Sequence, residues 1–142
     1  MLLLLVAALL QQALAAQIFD KNTVPSNLTA KCRNAFLRDI QCSPVVANLR
    51  GDTYYEQKTL ERTCKPACSA ALSAYNSAIA SACGKETWIG YDDSPMPVKV
   101  ISDLVKFNYD LVCLTDSGRF CNIVAAGNAA ANDPQGRYRK LS

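Results

Sequence analysis

The 142-residue chain has no histidine, a single tryptophan and only two methionines. Without histidine it lacks the Ser–His–Asp and Cys–His couples of nucleophilic catalysis. The usual imidazole ligand for zinc is missing too, and no cysteine pair has the C-x-x-C spacing of a zinc ribbon, so we expect neither a metal nor a cofactor. Long apolar runs are also scarce. The longest, Leu2–Leu10, falls well short of the roughly 20 residues that a membrane-spanning helix needs. An excess of charge of one sign is absent from the body of the chain. The net charge is +3, and Arg137, Arg139 and Lys140 sit in the last six residues; setting these aside leaves 12 basic against 12 acidic residues. A nucleic-acid-binding surface needs a basic stripe on the folded part, and this sequence has none. The terminal Arg-Tyr-Arg-Lys reads as an exposed basic tail.

The N-terminus carries a targeting pattern. Leu2–Leu10 has the length of a signal-peptide apolar region, although no Lys or Arg precedes it, and Gln11-Gln12 followed by Ala13-Leu14-Ala15 marks a cleavage site after Ala15 or Ala16. The reading that follows is a signal peptide at 1–16, a cysteine-rich helical domain at 17–124 and a flexible C-terminal tail at 125–142. It places the protein outside the cell. Seven cysteines in such a chain form a disulfide framework with one left unpaired.

Hydrophobic spacing predicts the helices. Asn27-Leu28-Thr29 is an N-glycosylation sequon on an exposed segment, with helix capping by Asn or Ser as the plainer role. Leu28, Cys32, Phe36 and Ile40 recur every four residues, with Ala35 beside them, which predicts a helix ending near Gln41. Ser43-Pro44 opens a short helix through Val45, Val46 and Leu49 that Gly51 closes. Helical character resumes at Thr59, Leu60 and Arg62 until Pro66, which has no N–H to continue the ladder and so restarts a helix at its first turn. There Cys68, Leu72, Tyr75, Ile79 and Cys83 form one stripe, and Gly84 caps it. Lys85–Pro97 reads as an irregular loop. Pro97 opens a last helix with Val100 or Ile101, Leu104, Val105, Asn108 and Val112 as its inner stripe. Asp116-Ser117-Gly118 is a turn, and Ala125–Ser142 reads as frayed. The fold class is therefore mainly α: a small disulfide-stapled domain of about three to five short helices with one irregular loop and a frayed C-terminus.

Seven cysteines allow about 105 connectivities, and helix polarity prunes them. Ten helical residues would hold Cys32 and Cys42 about 15 Å apart, too far to bond. If the first helix runs antiparallel to the Cys68–Cys83 helix, Cys32 meets Cys83 and Cys42 meets Cys64 or Cys68. The expected bridges are Cys32–Cys83 and Cys42–Cys68. The third is either Cys113–Cys121 with Cys64 odd, or Cys64–Cys113 with Cys121 odd.

The candidate contact residues are aromatic. Trp88 and Tyr91 in the loop, and Tyr54-Tyr55 in the turn, offer faces on which a sugar ring can stack. Trp88 has a plainer role open to it, closing one end of a small core. Asp92, Asp93, Asp103, Asp110 and Asp116 are the carboxylates from which a glycoside-hydrolase pair would have to come. Solvated loops, a helix surface and turn capping account for them more simply.

Cys-Ser-Pro, Tyr-Tyr, the spaced Cys64 and Cys68, Cys83-Gly84, and the block from Asp110-Leu111-Val112-Cys113-Leu114-Thr115-Asp116 to Phe120-Cys121-Asn122 together resemble the cysteine-rich region of secreted fungal proteins that carry lysin-motif (LysM) domains. The resemblance spans about Cys32 to Asn122, and no LysM domain aligns within the chain. In such relatives chitin binding belongs to the LysM domains. The resemblance implies a fungal, extracellular setting with a cell-wall connection. Together with the absence of a catalytic couple in the residues, the expectation is a non-enzymatic, effector-like module whose partner is a cell-wall polysaccharide (chitin or glucan) or a host extracellular protein. The alternatives are a structural spacer of a LysM protein and, last, a carboxylate-dependent glycoside hydrolase.

Overall fold

The structure, a computed structural model, describes residues 15–89 and 93–131. Most of the expected signal run, Tyr91, Asp92 and the basic tail lie outside these residues. The elements in order are β1 (Ala15–Gln17), α1 (Ala30–Phe36), β2 (Asp39–Gln41), a 3-10 turn (Pro44–Asn48), α2 (Gln57–Thr63), α3 (Pro66–Cys83), β3 (Thr87–Ile89), β4 (Pro95–Pro97), α4 (Val98–Val112), β5 (Thr115–Asp116), β6 (Arg119–Phe120) and α5 (Cys121–Ala131). The domain is mainly α, and its strands form three separate two-stranded antiparallel ribbons.

Helix α3 is the axis of the fold, and local chemistry sets both of its ends. Lys65 is extended, Pro66 takes the first helical position, and Gly84 closes the helix at φ +56° with its N–H on the Ala80 carbonyl. The stripe Cys68, Leu72, Tyr75, Ile79 and Cys83 is buried. Helix α1 packs on it with its own buried face, Cys32, Ala35 and Phe36. Cys32 is bonded to Cys83 and Cys42 to Cys68, so α1 and α3 run in opposite directions. The third bridge is Cys64–Cys113, and the free cysteine is Cys121. The other pairing weighed, Cys113–Cys121, is therefore not the one formed.

Two tyrosines brace this core. The Tyr75 hydroxyl donates to the Phe36 carbonyl at 2.9 Å, and the Tyr109 hydroxyl donates to the Lys65 carbonyl at 3.0 Å, where α2 gives way to α3. Burial pushes the pKa of both phenols above the ordinary tyrosine value, and Asp110 adds to the effect at Tyr109. A raised folded-state value means that stability is fully present below the unfolded tyrosine pKa, about 10, and is lost as pH rises through the folded value. We expect the far-ultraviolet circular dichroism signal to hold to about pH 10 and then to fall. Tyr75→Phe should flatten that fall, yet cost about 1–3 kcal/mol at neutral pH by leaving the Phe36 carbonyl unsatisfied.

Several expectations are corrected. The first helix stops at Phe36, not near Gln41, and Ile40 reaches the core from β2, paired opposite Ala16 of β1. Apolar residues four apart suit a helix, but here Leu28 precedes α1 and Ile40 follows it. Thr29 is the cap: its hydroxyl oxygen accepts the Cys32 N–H at 3.3 Å and donates to Glu86 at 2.7 Å. That leaves Asn27 exposed, with its side-chain amide donating to the Thr87 carbonyl at 3.3 Å. The Pro44 segment is a 3-10 turn that ends at Leu49, so Gly51 closes no helix. The expected irregular stretch contains the ribbon β3–β4, which pairs Trp88 with Met96. The two prolines are tolerated because the ribbon has no central strand.

Of the stripe expected on helix α4, Ile101, Val105 and Val112 do face the core and Leu104 does not. Val98, Ser102, Tyr109 and Val112 are buried, with Ile101 and Val105 packed against the core, while Val100 and Leu104 stand 46% and 54% exposed. The helix has apolar residues on more than one face, so spacing alone does not select the inner one. The Cys64–Cys113 bridge and the Tyr109–Lys65 bond do. At the C-terminal end, Ser117 (φ 49°) and Gly118 (φ 79°) form the tight turn of β5–β6. Helix α5, Cys121–Ala131, takes in the first residues of the expected tail, as its alanines favour, and residues 132–142 lie outside the described residues. Among the described residues no helix is long and apolar enough to cross a membrane.

Candidate functional site

The structure separates the aromatic candidates. Trp88 is half-buried in a cluster with Phe36 and Phe19, at centroid distances of 5.4 and 5.6 Å, and these two phenylalanines meet edge-on at 5.4 Å. Its ring closes this part of the core. Tyr91 lies outside the described residues. Tyr54 and Tyr55 are half-buried in the loop that leads to α2.

That loop is held by several hydrogen bonds. The Tyr55 hydroxyl accepts the Arg50 N–H at 2.9 Å. The Asn122 side chain accepts the Tyr55 N–H and donates to the Thr53 carbonyl, both at 2.8 Å. Asn108 on α4 accepts the Gly51 N–H at 3.3 Å. Backbone groups of the 50–55 loop are thus held by side chains of α4 and α5. At Gly51 a Cβ would lie 2.4 Å from Leu111 Cδ2, so loop and helix approach as closely as glycine permits.

Between loop and helix lies a groove of ≈ 430 Å³, lined by Arg50, Gly51, Asp52, Phe107, Asn108 and Leu111. The Arg50 guanidinium donates twice to the Asp52 carboxylate, at 3.0 and 2.8 Å. These hydrogen bonds hold Asp52 down to about 2 and raise Arg50 above its ordinary value. Phe107 is 60% exposed, the most exposed large apolar side chain among the described residues. A second groove, ≈ 470 Å³, runs between Arg38–Gln41 and the alanines of α3.

The carboxylate candidates do not converge. Asp103 is paired with Lys99, Asp110 with Lys106 at 2.6 Å, and Asp116 accepts from Ser117 in the turn. Asp93 is exposed, and Asp92 lies outside the described residues. Each groove contains one carboxylate, Asp39 or Asp52, where glycoside hydrolysis uses two.

Sequence reasoning missed Arg50, Asp52 and Phe107. Phe107 did carry a signal, as an aromatic that falls outside the helical stripe assigned to the core.

Residues 15–126 match the family described as the secreted LysM effector N-terminal domain. The chain belongs to this family. It is 33% identical over 133 residues to a LysM domain-containing protein of Arthroderma benhamiae, covering 93% of this chain and 24% of that protein. It is 38% identical over 114 residues to the secreted LysM effector Vd5LysM of Verticillium dahliae, covering 79% of this chain and 16% of that protein. The chain thus spans a quarter or less of the length of these curated relatives. No solved structure matches it significantly. The LysM effector N-terminal domain begins at the first residue of β1 and ends within α5, so it takes in all three bridges and both sides of the 50–55 groove. It is a secreted, extracellular domain.

Proposed function

We propose that this LysM effector N-terminal domain is a non-enzymatic binding module that attaches a secreted protein to a cell-wall polysaccharide, chitin or glucan. The observation that carries the reading is the chemistry of the 50–55 groove: a solvent-facing aromatic ring beside a planar polar pair, held on a braced scaffold. This is recognition chemistry, without a second acid to make it hydrolytic.

Pull-down of the oxidised, secreted protein on insoluble chitin, β-glucan and cellulose tests the reading. Retention on at least one polymer, with no sugar released, is expected. No retention on any of them would leave the domain as a stapled spacer between other parts of a LysM protein. Capture by a host extracellular protein instead would change the partner class.

A further inference from the structure

We infer that the groove between the Arg50–Asp52 turn and α4 is a subsite for one neutral pyranose unit of a cell-wall polysaccharide, with Phe107 as the stacking platform and Arg50 and Asp52 as the hydroxyl partners. This rests on the polysaccharide-binding reading above and moves the contact away from Trp88.

The lining selects this ligand class. A pyranose ring has an apolar face of C–H groups and an equatorial rim of hydroxyls, so it needs an aromatic surface and adjacent polar side chains that both donate and accept. Phe107 gives the first, standing 60% exposed at the groove. The ion pair gives the second. Arg50 has five N–H donors and spends two on Asp52, which leaves donors for ring hydroxyls, while the Asp52 oxygens keep free lone pairs. Both side chains are largely open to solvent, at 70% and 67%. Because the two charges cancel, the groove offers no net attraction to an anion or a cation. A neutral, hydroxyl-rich ligand fits it best.

The scaffold argues for a built site. An exposed loop normally has to be ordered on binding, at a cost for each side chain fixed. Here Asn108, Asn122 and Tyr55 already hold it. Gly51 lets the loop come against Leu111, so that the ion pair and the ring of Phe107 line one space of ≈ 430 Å³, within the usual small-ligand range of about 300–1,000 Å³.

The test compares variants of the oxidised, secreted protein for retention on chitin, β-glucan and cellulose, with the matching soluble tetrasaccharides titrated by two-dimensional amide nuclear magnetic resonance. For the wild type, we expect retention on one polymer and shifts of the Asn108 and Asn122 side-chain amides. Phe107→Ala should weaken binding at least about tenfold, as loss of an aromatic anchor does, Phe107→Trp should preserve it, and Asp52→Ala should weaken it several-fold. Leu104→Ala, which removes an exposed leucine of α4 outside the groove, should bind as the wild type. Because Phe107 and Asp52 are exposed, circular dichroism should report an unchanged fold in both variants. Wild-type retention that survives both Phe107→Ala and Asp52→Ala overturns the subsite and leaves the binding reading standing. Equal loss in Leu104→Ala and Phe107→Ala also overturns it, as nonspecific apolar adsorption. Absence of wild-type retention on every polymer overturns subsite and reading together.

Discussion

Replacing Cys32 and Cys83 together by alanine will lower the free energy of unfolding by about 4 kcal/mol on the chain-entropy estimate. The bridge joins residues 51 apart in sequence and fastens the start of α1 to the end of α3. Cutting it frees the unfolded chain most, and it also removes two buried sulfurs from the core. Removing Cys42–Cys68, which closes a separation of 26, should cost about 0.6 kcal/mol less by the logarithmic dependence on loop length. Denaturant unfolding of the oxidised variants, followed by circular dichroism, reads the difference in midpoints. If the Cys32–Cys83 variant loses less than about 1 kcal/mol, the unfolded chain is already compact around α1 and α3, and the entropic account of this bridge fails.

The second large effect is expected at Phe36. Its ring is fully buried and meets Phe19 and Trp88 edge-on, while its carbonyl takes the Tyr75 hydroxyl. Truncation to alanine should cost about 3–5 kcal/mol, the range for a buried aromatic whose cavity cannot collapse. Because Trp88 is the sole tryptophan, its fluorescence should shift to the red in the same variant as water reaches the vacated space. Trp88→Ala should cost less, since that ring is only half-buried. The reverse order would show that Trp88 is the anchor of this cluster and Phe36 its neighbour.

How much of this was legible in the sequence differs by element, for physical reasons. Helix α3 was legible throughout because its start, its inner stripe and its end are all local: Pro66, the spacing from Cys68 to Cys83, and Gly84. Antiparallel packing of α1 on α3 then narrowed the cysteine pairing to two alternatives. Where the sequence misled, the deciding contact was distant. Ile40 has helical spacing from Phe36, but Ala16 draws it into a strand. Spacing left Val100 or Ile101 open and put Leu104 inside beside Val105, and the attachments of α4 to the Cys64–Lys65 segment turn Ile101 and Val105 inward and leave Leu104 outside. The groove is the extreme case. Arg50 and Asp52 lie more than fifty residues from Phe107, and each is unremarkable in its own local sequence. The aromatic residues singled out for their chemistry proved to be partly occupied, Trp88 by the core and Tyr55 by the backbone of Arg50.

The three bridges also have an effect on digestion. The Cys42–Cys68 loop lies inside the Cys32–Cys83 loop, and Cys64–Cys113 crosses out of both. A single backbone cut at any point between Cys32 and Cys113 therefore leaves its two pieces covalently joined by at least one bridge. Outside the cell, where proteases act and thiols stay oxidised, a nick in any loop of this region releases no fragment from the domain. The two walls of the 50–55 groove, contributed from either side of α3, stay on one molecule even after the chain between them has been opened.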